Sequence, residues 1–109
     1  MKLENTKAQM RKGVLEYCIL SVLENKALYV SDIIQNLEKS ELVVVEGTLY
    51  PMLTRLKNEG YLGYHWEESL QGPPRKYYEL TEPGKLFLTE LGKFWKQLVD
   101  AVFRINNQQ

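Results

Sequence analysis

Apolar positions along this chain fall into helical and alternating patterns in turn. Lys7 to Glu24 lacks proline, and from Val14 to Leu23 apolar side chains occur on nearly every face of a helix. Val14, Tyr17, Cys18 and Val22 form an i, i+3, i+4, i+8 stripe, which predicts a helix at the centre of the fold. Val30, Ile33, Ile34 and Leu37 give a narrower stripe opposed by Asp32, Gln35, Glu38 and Lys39, a short amphipathic helix that buries one side. Leu42 to Val45 is short and β-branched and suits an extended linker. A third helical stripe follows at Leu49, Met52, Leu53 and Leu56. It closes at Asn58 and Gly60, where glycine takes the left-handed position after a helix.

The period then changes. Tyr61 to Trp66 and Arg75 to Leu80 are aromatic-rich segments of strand length, separated by Glu67 to Pro74 with its turn-forming Gln71, Gly72, Pro73 and Pro74. They predict a β-hairpin. Thr81 is a good N-cap, Pro83 falls where a missing N–H costs nothing, and a long last helix runs to about Ile105. The order helix, helix, helix, hairpin, long helix is that of a winged helix-turn-helix with an appended helix. The fold class is therefore mainly α with a small hairpin: residues 1–81 form the winged unit and 82–109 the C-terminal helix, packed as one body.

Composition narrows the partners. The chain has 109 residues, 44% apolar, 26% charged and 11% aromatic, which suits one small domain. Fourteen Lys and Arg balance fourteen Asp and Glu, so nucleic-acid binding has to come from a local patch rather than a bulk positive field. Cys18 has no second cysteine to pair with and reads as a small buried apolar residue, which fits a reducing compartment. Met1 to Lys12 shows no apolar signal-peptide core. Val14 to Leu23, interrupted by Glu16 and Ser21, is about half the roughly 20 residues a bilayer requires. A cytoplasmic, non-membrane protein is expected.

With its apolar stripe committed to the core, the third helix has Thr48, Tyr50, Pro51, Thr54, Arg55, Lys57 and Asn58 on its other faces. Hydroxyl-bearing and basic residues on a helix of this width suit the major groove of B-form DNA. There Arg grips guanine in bidentate fashion while Thr, Tyr and Asn hold phosphates or base edges. An ordinary solvated face has the same composition. Pro51, several residues into the helix, removes a backbone bond. Gly72, Pro73, Pro74, Arg75 and Lys76 make a stiffened, cationic hairpin tip suited to a phosphate backbone, although Glu67 and Glu68 at the other end of the loop partly cancel it. Catalysis has no visible players. His65 has no second histidine or nearby cysteine, there is no phosphate-cradling glycine loop or G-x-S-x-G, and Glu67 and Glu68 point to opposite faces of a strand. Neither enzyme activity nor a cofactor is expected.

The run Gly47-Thr48-Leu49-Tyr50-Pro51-Met52-Leu53-Thr54-Arg55-Leu56, followed by Glu59-Gly60-Tyr61, resembles the recognition-helix signature of PadR-like transcriptional regulators. Gly72-Pro73-Pro74-Arg75-Lys76-Tyr77-Tyr78, then Leu80-Thr81-Glu82 and Gly84, is similar to that family's wing and the start of its last helix. Gly13-Val14-Leu15 with Ile19-Leu20 fits its first helix. The resemblance implies a repressor of the short type with a single C-terminal helix, dimeric through its first and last helices, bound to a palindromic operator and released by a small molecule. On those matching positions the DNA-binding residues are Thr48, Tyr50, Pro51, Thr54, Arg55, Lys57, Gly72, Arg75 and Lys76. Two departures stand out. Tyr29-Val30-Ser31 replaces the family's usual glycine and tyrosine, and Val45 stands where a Ser, Asn or Asp would cap the recognition helix.

In the last helix Leu91, Phe94, Leu98, Ala101 and Ile105 repeat with coiled-coil spacing beside a second stripe, Leu88, Trp95, Val99 and Val102. That face is wider than a small domain can cover and predicts a two-fold homodimer, which duplicates Arg55, Lys57, Arg75 and Lys76 on half-sites roughly 34 Å apart. Trp95 matches the tryptophan that lines the dimer pore of short family members and stacks on flat aromatic compounds. By position Met10, Tyr17 and Val99 are its neighbours in such an effector site. A winged-helix module that binds protein instead of DNA is the rival reading, and the neutral net charge favours it.

Overall fold

The computed structural model describes residues 2–108. Its elements are α1 (Leu3–Val22), β1 (Leu28–Tyr29), α2 (Val30–Lys39), α3 (Glu46–Asn58), β2 (Leu62–Glu67), β3 (Arg75–Leu80) and α4 (Glu82–Asn106). The fold is mainly α with a small antiparallel sheet in the winged-helix order.

Helix α1 starts four residues before Lys7 and ends two residues before Glu24. Its first residues, through Gly13, are exposed and strongly polar, so they add helix without adding core. At the other end Leu23 and Glu24 donate to Leu20 and Ser21, three residues back, which tightens and closes the last turn. The core-facing stripe is also displaced from the expected one. Leu15, Ile19, Leu20 and Leu23 are buried, whereas Tyr17, Cys18 and Val22 pack only partly against the core. With apolar residues all round, periodicity does not choose the buried side; packing of the bulkier aliphatic side chains does. Cys18 is accordingly half-buried, and burial raises its thiol pKa.

Helices α2 and α3 follow their stripes closely. Val30, Ile33 and Leu37 of α2 and Leu49, Leu53 and Leu56 of α3 are buried, with Ile34 and Met52 at the margin. The extended segment between the helices alternates as a strand would: Val44 points inward, while Val43 and Val45 are exposed. Tyr29 begins α2 with its backbone N–H donating to Asp32 Oδ2 at 3.2 Å. Val45 begins α3 without a side-chain cap.

The expected two-stranded hairpin is in fact part of a three-stranded sheet of order β1-β3-β2. Leu28 and Tyr29 pair with Tyr78 and Tyr77. A two-residue strand carries no alternation, so only its partner reveals it. Between β2 and β3 the register runs from Leu62 opposite Leu80 to Glu67 opposite Arg75.

Helix α4 is bolted to the turn after α3. Thr81 Oγ1 accepts from the Gly84 N–H at 3.0 Å and donates to the Gly60 carbonyl at 2.6 Å, while the Thr81 N–H reaches the Tyr61 carbonyl at 3.1 Å. Tyr61 and Phe87 stack with ring centres 4.0 Å apart. Beyond that anchor α4 leaves the body: Leu88 is its last buried residue and everything from Lys93 to Gln108 is exposed.

Candidate nucleic-acid interface

With Leu49, Leu53 and Leu56 fully buried, the 3.6-residue period turns the opposite side of α3 outward. Thr48, Tyr50, Pro51 and Thr54 are exposed there, and Tyr50, Pro51, Thr54, Arg55, Asn58 and Glu59 line one shallow open depression. Burial and the nearby Glu46 carboxylate raise the Tyr50 phenol pKa, which keeps it a neutral hydrogen-bonding group.

Arg55 is already engaged. Its Nη1 donates to Glu16 of α1 and to Glu59 one turn on, each at 3.1 Å, and these hydrogen bonds raise its pKa further. Its side chain is 47% exposed, so the guanidinium lies at the surface but is tied to α1.

The cations of the wing are not where a flexible loop would leave them. Arg75 and Lys76 are the first two residues of β3 rather than loop residues, and successive strand positions send them to opposite faces of the sheet. Arg75 stands 5.0 Å over the Tyr29 ring, on the face that also holds Glu67 opposite it in register. His65 shares that face, stacked on Tyr77, its Nε2–H donating to Glu67 at 2.7 Å and its Nδ1 lying 3.5 Å from Glu79. Lys76 takes the other face, 4.0 Å over the Tyr64 ring and 5.9 Å from that of Trp66. Gly72 opens the tip with φ +122, a conformation that glycine adopts without strain.

Tyr64 and Trp66 were not among the expected contact residues. Their signal was present in the alternation of the hairpin: residues 62, 64 and 66 lie opposite 80, 78 and 76, so the buried side of the wing continues outward as an aromatic strip carrying Lys76.

Of the expected effector residues, Trp95 and Val99 line one shallow depression with Lys96, Asp100 and Phe103. The Tyr17 ring centre lies 6.4 Å from that of Trp95, and its hydroxyl sits 3.2 Å from where a Gly92 side chain would begin. Met10 is 70% exposed and does not line the depression. Both apolar stripes of α4 begin in the core, at Leu88 and Leu91, and are uncovered beyond it, with Trp95, Leu98, Val99, Val102, Phe103 and Ile105 between 37% and 65% exposed. Among the described residues no group of three or more His, Cys, Asp or Glu is placed to hold a metal ion, and no helix is long and apolar enough to cross a membrane.

The model of the transcriptional regulator PadR-like family matches residues 19–90. A PadR-like transcription factor from Bacteroides fragilis is 59% identical, with 93% of this chain and 98% of that one covered and a TM-score of 0.78. A PadR family transcriptional regulator from Eggerthella lenta is 28% identical over 98% of this chain and 94% of its own, with a TM-score of 0.89. PadR of Bacillus subtilis, solved in complex with operator DNA, is 27% identical. That match covers 72% of this chain and 46% of that one, with a TM-score of 0.65.

Proposed function

This chain belongs to the PadR-like family of transcriptional regulators, and we propose that two copies of it, joined through α1 and α4, act in the cytoplasm as a repressor that holds a palindromic operator and lets go when a small aromatic effector binds. The observation that carries this reading is the outward face of α3. Its buried leucines commit Thr48, Tyr50, Pro51 and Thr54 to solvent, next to a wing that offers Lys76 and Arg75. The likeness to a protein bound to operator DNA supports it. In this reading residues 1–81 bind DNA, 82–109 supply the dimer helix, and the described α4 face is covered by its two-fold copy.

Each residue then has a separable task. Thr48, Tyr50 and Thr54 meet base edges or backbone in the major groove, while Pro51 holds the helix surface close. Arg55 reads a base after exchanging Glu16 and Glu59 for it, an exchange that costs about 1 kcal/mol or less per pair because the groups are part-exposed. Lys57, Arg75, Lys76 and the Gly72 turn grip phosphates. A flat effector lodged against Trp95 and Val99, with Tyr17 behind Trp95, changes how α4 meets its copy and so the spacing of the two recognition helices.

Footprinting and titration on the DNA upstream of the protein's own gene test the reading. Protection of two half-sites about one helical turn apart is expected, with affinity falling steeply as salt rises. Arg55→Ala should lower operator affinity by about 1 to 3 kcal/mol and relax sequence preference. The neutral net charge favours a protein-binding module instead, and salt-independent association with DNA unbound at any ionic strength would establish it. For the effector, tryptophan emission in a Trp66→Phe background should change on adding planar aromatic compounds; unchanged emission across a panel removes the Trp95 site.

A further inference from the structure

Two lysines from different elements converge on one ring. The Lys57 ammonium, at the end of α3, lies 5.4 Å from the centre of the Tyr64 ring, and the Lys76 ammonium, from β3, lies 4.0 Å from it. Both side chains are half-buried, and neither takes part in an ion pair among the described residues. The carboxylates of the wing do not relieve them. Glu67 and Glu79 belong to the opposite face, where His65 occupies them, and Glu59 holds Arg55. Two cations thus share one ring without a carboxylate partner, and the quadrupole of the tyrosine ring offsets only part of their charge. What completes the arrangement is an anion.

Resting on the reading of this chain as a DNA-binding regulator, the geometry points to Tyr64 as the seat of a phosphate-gripping position shared by recognition helix and wing. Lys57 and Lys76 hold the duplex backbone there, and the exposed Trp66 ring packs on the adjoining sugar. The ring pre-orders both ammonium groups, which on free stems would each lose rotamer freedom on binding. It also fixes the wing to the recognition helix, so the major-groove contacts and the backbone contact share one register. Tyr64 is a positioning residue in this scheme; the lysines do the binding.

The test is a double-mutant cycle in DNA titrations over a salt series, with an NMR readout that needs no DNA. Lys57→Ala and Lys76→Ala should each weaken binding to all sequences alike and flatten the log K against log salt slope by about 0.9. Tyr64→Leu should weaken binding about threefold to tenfold and leave the slope unchanged, since no charge is lost. In a Lys57→Ala, Lys76→Ala background the Tyr64 substitution should have no further effect. In the free protein, Tyr64→Leu should reduce the ring-current shift on the ε protons of Lys76 to the part that Tyr78, 5.3 Å away, and Trp66, 5.9 Å away, still supply. Wild-type protein that binds no DNA overturns the parent reading. Wild-type protein that binds with a steep salt slope, with Tyr64→Leu equally costly in both backgrounds or without effect in either, overturns the Tyr64 position alone.

Discussion

Replacing Gly84 with alanine pits helix propensity against packing, and the structure says which wins. Propensity alone favours alanine in a helix by about 1 kcal/mol. The added methyl, however, would stand 2.0 Å from the carbonyl oxygen of Tyr61 and 3.0 Å from its carbon. Ordinary carbon contacts need about 3.5 Å, so the start of α4 has to move away by roughly 1.5 Å. Tyr61 has little freedom to yield, because its N–H already closes α3 on the Leu56 carbonyl at 3.0 Å. Moving α4 instead stretches the Thr81 contacts to Gly60 and Tyr61 and slides Phe87 off the Tyr61 ring. Overpacking of this kind costs about 1 to 3 kcal/mol and a damaged N-cap about 1 more, which, less the propensity gain of about 1 kcal/mol, leaves a net loss of about 1 to 3 kcal/mol. Urea denaturation at fixed protein concentration measures it. Gly13→Ala is the control: a side chain there meets nothing within 4 Å, and a gain of about 0.5 to 1 kcal/mol is expected. A Gly84→Ala protein as stable as wild type would refute the reasoning, since the clash is what separates the two glycines.

Val99, 46% exposed on the single chain, tests the dimer helix. Val99→Asp removes burial worth about 1 kcal/mol per copy and brings two carboxylates together, so sedimentation equilibrium should show dimer dissociation raised about thirtyfold or more; an unchanged constant argues against that face. Val45→Ser supplies the side-chain cap that α3 lacks and should stabilise it by about 1 kcal/mol, read as slower amide exchange in its first turn; exchange as fast as wild type would mean the cap is already replaced by other contacts. His65 titrates above its ordinary range because Glu67, and secondly Glu79, hydrogen-bond its ring. Its folded pKa is raised, so its stabilising contribution is full below the unfolded value and disappears as pH rises through the folded one. An NMR titration should place its midpoint above 6.5 and lower it in Glu67→Gln; a midpoint that Glu67→Gln leaves in place excludes that cause.

The chain order of elements, the buried leucines of α3 and the Thr81 cap were all legible in the residues, because each depends on local period or on a single side chain reaching its own backbone. Strand β1 was not, since two residues acquire strand geometry only by lying beside Tyr77 and Tyr78. The buried side of α1 was illegible for another reason: where apolar residues surround a helix, periodicity selects no face, and the surrounding α2 and α4 do. Sequence likewise identified Arg55, Lys57 and Lys76 as cations at useful places without showing their company. That Glu16 ties down Arg55 across 39 positions, and that Tyr64 draws together lysines from a helix and a strand, follows from distances between remote segments. Charge and hydroxyl content are properties of residues and can be read in a line; which charge is spent inside the molecule and which is left for a partner depends on contacts the chain makes only when folded.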